Sequence, residues 1–172
     1  MTKIITNLEL DTILTETINA KNHYYNLSKT YFTDLYNLGC RSKEPLSIER
    51  WSYNNNKVYL NTFKTEAIRI FEANQLSENL LYSILENKPA YGGLTYDQLT
   101  LDFTRSIPVH PIYVGDKIAN TYLFRYNRAK QMHDKGNKIS DVQNFFGWNS
   151  DDVCRRYILT ELVYDTDRIY RH

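Results

Sequence analysis

Apolar positions open the chain at helical spacing. Leu10, Ile13, Leu14 and Ile18 stand at i, i+3, i+4 and i+8, with Leu8 just ahead, which predicts a helix over 7–20 capped by Thr6 or Asn7. Tyr24, Leu27, Tyr31, Leu35 and Leu38 repeat the rhythm over 23–38, and Gly39 stops it. Segment 41–46 reads as a short helical piece that Pro45 ends or kinks, since Pro45 restricts Glu44 before it.

The pattern then changes. Segments 48–53, 57–63 and 67–71 are short and rich in β-formers, with Asn54-Asn55-Asn56 at the first turn and Lys64-Thr65 at the second. They predict a small antiparallel meander. Helical patterns return over 77–87, 95–105, 117–135, 139–146 and 150–162. Ser77-Glu78-Asn79 and Thr95-Tyr96-Asp97-Gln98 read as helix starts, the second close to a capping box. Segment 107–115, holding Pro108 and Pro111, reads as a loop. The expected class is mainly α with a small three-stranded antiparallel β-sheet (α+β). One domain is expected over 1–172, with a core from 22 to 158 and a tail from 159 to 172.

Composition adds limits. The chain has 172 residues, 42% hydrophobic and 24% charged, enough for one real core. No apolar run approaches the ~20 residues of a membrane span, and the N-terminus lacks a signal-peptide pattern, so an intracellular protein with no membrane partner is expected. Cys40 and Cys154 form no CxxC pair and read as small core residues. The four histidines fall in no HExxH or His/Cys cluster, so no metal is expected. Phosphate-loop, dinucleotide and serine-elbow motifs are absent, and no cofactor is implied. The net charge is +1; that weighs softly against nucleic acid, although a neutral total can still carry a basic face.

What remains is a set of basic and aromatic residues whose members singly have bland readings. Arg41 follows the Gly39 stop, with Glu44 three residues on. Lys64 sits at a hairpin turn. Arg125 lies in a long helical pattern. Gly136 stands eleven residues after Arg125, and Gly147 eleven further on. Trp148 follows, and Tyr157 comes nine residues later, inside "NFFGWNSDDVCRRYI". This spacing resembles the C-terminal signature of the tyrosine recombinase (phage integrase) family: an H-x-x-R box, a glycine, a Gly-His pair and a tyrosine. "KISDVQNFFGW" resembles the segment before the Gly-His pair. "LGCRSKEPL" resembles the first arginine box, giving Arg41 and Glu44, and "NTFKTEAIRIF" the β-hairpin lysine, giving Lys64. The resemblance covers roughly 22–158.

The resemblance implies the tyrosine recombinase catalytic-domain fold, double-stranded DNA as partner, and a homotetramer on paired sites that is monomeric or dimeric when free. It implies DNA recombination or integration, as in mobile elements, through a 3′-phosphotyrosine intermediate on Tyr157. Arg41 and Arg125 would clamp the phosphate, Lys64 would protonate the leaving 5′-oxygen, and Glu44 would orient Arg41. Two residues depart from the family's pattern. Tyr122 replaces the histidine of H-x-x-R, and Trp148 the second histidine. A phenol and an indole can donate hydrogen bonds but cannot buffer a proton near neutrality. The family's separate N-terminal DNA-clamping domain is not seen, and its C-terminal tail, here Leu162, Val163 and Tyr164, is expected on a neighbouring subunit. Other readings stay open: a catalytically weak or inactive DNA-binding protein on the same fold, a type IB topoisomerase or telomere-resolvase-like enzyme, or a helical interaction module.

Overall fold

The computed structural model describes residues 2–63, 67–108 and 111–165. Seven helices and two sheets follow one another as β1 (Thr2–Ile5), α1 (Asn7–Ile18), α2 (Asn26–Leu38), β2 (Trp51–Asn54), β3 (Lys57–Asn61), β4 (Ile68–Glu72), α3 (Glu78–Glu86), α4 (Tyr96–Ser106), β5 (Ile112–Val114), β6 (Lys117–Ile118), α5 (Leu123–Asp134), α6 (Ile139–Phe146), α7 (Asp151–Leu159) and β7 (Leu162–Asp165) among the described residues. The expected class holds: the chain is mainly helical, and β2, β3 and β4 form the three-stranded antiparallel sheet.

Local chemistry explains most helix ends. Thr6 and Glu9 form a capping box on α1, Thr95 and Gln98 one on α4, and Ser77 caps α3. Tyr25 cannot cap α2 with its own side chain. Instead Asp102 of α4 accepts the Tyr24 and Tyr25 N–H groups at 2.9 and 3.3 Å. Asn55 and Asn56 take positive φ, 50° and 63°, between paired Asn54 and Lys57, the two-residue hairpin geometry that asparagine tolerates.

Two apolar clusters result. The larger joins α1–α5 to the three-stranded sheet, with Phe32, Phe103 and Phe124 in mutual ring contact at 5.8 Å and Trp51, Val58, Leu60 and Phe71 on the sheet's inner face. The smaller unites α5, α6 and α7 through Ala129, Val142, Phe146, Trp148, Cys154 and Ile158. Cys40 and Cys154 are buried and unpaired, as core residues. No described helix is long and apolar enough to cross a membrane.

A second sheet, in the order β1-β7-β5-β6, was not expected. Segment 107–115 contains β5, the helix expected over 117–135 starts only at Leu123 because Lys117 and Ile118 pair with β5, and the helix expected over 150–162 ends at Leu159. The cause is non-local. Ile5 pairs with Leu162, and Ile112 with Tyr164, so strands of two to four residues exist only because distant segments meet. Leu162, Val163 and Tyr164, expected on a neighbouring subunit, are therefore held in the chain's own sheet. The end of the tail, 166–172, lies outside the described residues.

Candidate active site

The site forms where the two clusters meet. Helix α2 ends at Gly39, φ +62°. A Cβ there would lie 2.7 Å from a Phe146 ring carbon, so both backbone and space call for glycine. The turn that follows presents Arg41. Its N–H donates to Glu44 Oε1 at 2.5 Å, and its Nη1 lies 3.7 Å from Glu44 Oε2. Glu44 is fully buried. Its Oε2 also accepts the Phe63 N–H at 3.0 Å, and its backbone carbonyl accepts the Trp51 indole N–H at 2.8 Å. One carboxylate thus ties the Arg41 turn to the β3–β4 hairpin, one residue before Lys64. Lys64 itself lies outside the described residues. The Thr62 N–H and hydroxyl donate to the Ala67 carbonyl at 3.2 and 2.8 Å, joining the chain on either side of residues 64–66.

Arg125 enters from α5 and is 1% exposed. Its Nη1 donates to the Gly39 carbonyl at 2.7 Å. Its Nε and Nη2 make no hydrogen bond of good geometry, and no other described buried side chain has two such donors; the Tyr157 phenol is the nearby polar group that interacts with it weakly. The guanidinium carbon stands 5.0, 5.1 and 5.4 Å from the ring centres of Phe146, Trp148 and Tyr157. Burial lowers its pKa; Tyr157 and Glu44 favour its charge, and Arg41 opposes it.

Tyr157 of α7 lies between two rings, Tyr126 at 4.6 Å and Trp148 at 4.8 Å, and Trp148 in turn stacks on Phe146 at 4.3 Å. The αL glycine Gly147, φ +72°, turns the chain from α6 so that Trp148 can do this. Tyr122 stands at the start of α5, one turn before Arg125. Half-burial raises its pKa first and Tyr157 raises it further, while Arg41 and Arg125 lower it. Ser42 and Thr121, the neighbours of Arg41 and Tyr122, share a 2.6 Å hydroxyl hydrogen bond. Arg41, Glu44, Tyr122, Arg125, Trp148 and Tyr157 therefore gather at one place.

Among the described residues, no histidine joins them. His23 is bound to the Ile18 carbonyl and Ser106, and His133 is exposed. No cluster of His, Cys, Asp or Glu able to hold a metal occurs among these residues either.

Comparison with solved structures decides the fold. Over 89% of this chain, XerH site-specific recombinase bound to difH substrate superposes with TM-score 0.57 and 20% identity. A lambda integrase dimer bound to a COC′ core site matches over 91% with TM-score 0.62 and 12% identity. XerA recombinase matches over 91% with TM-score 0.58 and 13% identity. The chain has the tyrosine recombinase catalytic-domain fold. It spans 49%, 59% and 60% of the lengths of XerH, the lambda integrase and XerA. No family model and no curated relative matches the sequence.

Within this recombinase fold two residues escaped sequence reading. Tyr126, one turn after Tyr122, supplies the second ring against Tyr157; its i, i+4 spacing was the available signal. Arg69 of β4 is 2% exposed, and its Nη2 and Nε donate to the carbonyls of Leu38 and Phe145 at 2.6 and 2.7 Å. It thus binds the C-terminal ends of α2 and α6, where helix dipoles favour a cation. Burial and then Arg125 pull its pKa down. The signal was strand alternation: Arg69 shares the inward face with Phe71.

Proposed function

We propose that the chain is the catalytic part of a site-specific recombinase that cleaves and rejoins double-stranded DNA through Tyr157. The observation that carries this reading is Arg125. A buried guanidinium whose one well-formed hydrogen bond goes to the Gly39 carbonyl, with two donors left poorly satisfied beside the Tyr157 phenol, favours an anion that completes it, because each buried unsatisfied donor costs about 1–3 kcal/mol. A DNA phosphate fits that place. Arg125 and Arg41 bind its non-bridging oxygens and offset the charge that grows in the transition state.

In the reaction, the Tyr157 oxygen attacks phosphorus and the bond to the 5′-oxygen breaks. Tyr157 passes its phenol proton to solvent water as the new bond forms, and Lys64 gives one to the leaving oxygen. The product is a 3′-phosphotyrosine, and a 5′-hydroxyl reverses the step on the same or another strand. No metal or high-energy cofactor is needed, because the phosphoester is conserved. Tyr122 acts as hydrogen-bond donor to the phosphate, since its raised pKa keeps the phenol protonated at neutral pH. Trp148 buttresses Tyr157. Strand exchange calls for paired sites and a homotetramer.

A second reading, a DNA-binding protein without cleavage, is favoured by one feature: Tyr122 and Trp148 leave the site with no described histidine. A nicked suicide duplex, incubated without metal and run on a denaturing gel, separates the two. A covalent band that Tyr157→Phe abolishes supports cleavage; bound DNA without a band supports the second reading.

A further inference from the structure

Lys130 is buried, 6% exposed, and takes no part in the chemistry above. It stands on α5 five residues after Arg125, about 7.5 Å along the helix axis. Its Nζ donates to the carbonyls of Ile158 and Thr160, both at 2.8 Å. Ile158 follows Tyr157 directly, and Thr160 ends α7.

The Ile158 carbonyl is one of the last four of α7, which no intrahelical N–H reaches, so Lys130 caps the helix from a neighbouring one. The Thr160 N–H returns to the Arg156 carbonyl at 3.0 Å, and the Thr160 hydroxyl binds the same carbonyl. What the Lys130 bonds add is a link between helices. One helix carries the phosphate-binding arginine, the other the tyrosine. The two carbonyls and the C-terminal end of the α7 dipole offset the burial of the ammonium. Here it grips the backbone of the residue that follows Tyr157, and so the base of the side chain that carries the attacking oxygen.

We propose that Lys130 is a positioning residue for the nucleophile: it locks α7 to α5 and so sets the reach of Tyr157 to a phosphate held on Arg125. The inference rests on the strand-transfer reading. Tyr157 then has two restraints. Trp148 and Tyr126 hold its ring, and Lys130 holds its backbone.

The test compares wild type with Lys130→Met and Lys130→Arg in single-turnover adduct formation on the nicked duplex at saturating protein. DNA affinity and amide hydrogen exchange over 155–160 are measured in parallel. Lys130→Met is expected to bind DNA like wild type and form adduct about ten- to a hundredfold more slowly, the scale of an ångström-level misplacement. Exchange should quicken at 155–160 alone, and Lys130→Arg should recover part of the rate. If Lys130→Met melts below the assay temperature, Lys130→Gln, which keeps a donor, replaces it. A wild-type rate in the neutral variant overturns the inference while leaving strand transfer intact. Loss of affinity in step with rate, or loss of exchange protection throughout, reduces Lys130 to a structural role and overturns it too. No adduct with wild type itself, on DNA that binds, removes the strand-transfer reading and the inference with it.

Discussion

Arg125 donates its Nη1 hydrogen to the carbonyl of Gly39 across 2.7 Å. That bond joins residues 86 positions apart and lets each arginine segment build the other. Gly39 makes the turn that presents Arg41, and its carbonyl fixes the guanidinium of Arg125 with two donors left over. Arg69 holds the preceding carbonyl, that of Leu38, at 2.6 Å. The end of α2 is thus read by two buried arginines at once.

Gly39→Ala should therefore damage more than one turn. An alanine at φ +62° is strained by about 1–2 kcal/mol, and its Cβ would meet Phe146 at 2.7 Å. A lower urea midpoint with a weakened DNA complex is expected; an unchanged midpoint would show that the αL turn matters little.

Glu44 makes a similar case. Glu44→Ala leaves the partly buried N–H groups of Arg41 and Phe63 without acceptors, at about 1 kcal/mol each. Glu44→Gln keeps one acceptor oxygen and should recover part of the loss. Thermal melting of the two variants measures this, and equal midpoints would show that the carboxylate does not organise the hairpin.

Arg69→Lys tests whether a fork of donors is required. A lysine has the charge but not the planar geometry to reach Leu38 and Phe145 together. We expect a loss of about 1–3 kcal/mol in stability from the carbonyl left unpaired, together with slower adduct formation. Wild-type melting in Arg69→Lys would mean that charge alone suffices.

Tyrosine burial sets a direction for pH. Burial raises the pKa of Tyr31, Tyr91 and Tyr122, and that of Tyr36 to about 12. The folded chain then keeps phenol protons that the unfolded chain releases, so stability is full below about pH 10 and falls as pH rises beyond it. Urea midpoints should decline from pH 9 to 11, less so in Tyr36→Phe. Flat midpoints across that range would contradict the burial account. At neutral pH Tyr122 should contribute no titration to cleavage, whereas Tyr122→His should introduce one near ~6.5.

How far the sequence carried these conclusions depends on the range of each interaction. The three-stranded sheet, the helix starts at Ser77 and Thr95, and the stops at Gly39 and Gly147 rest on neighbours within a few residues, and they could be read. The spacing from Arg125 to Tyr157 could be read only through its resemblance to a family signature, which stays local in sequence because α5, α6 and α7 follow one another directly. The second sheet could not, since β1 acquires meaning only when Ile5 meets Leu162. Arg69 and Lys130 were hidden for the same reason. Each answers to carbonyls 28 to 76 residues away, and nothing in a window of sequence separates such a cation from a surface one.

Three tyrosines crowd the candidate phosphate position: Tyr122, Tyr126 and Tyr157. The most direct measurement is therefore to digest the covalent complex with trypsin and locate the nucleotide-bearing residue by mass spectrometry. The expected result is a 3′-phosphonucleotide on Tyr157 and unmodified Tyr122 and Tyr126. A nucleotide on either of those two, or no modified peptide from DNA that is bound, would contradict Tyr157 as the nucleophile.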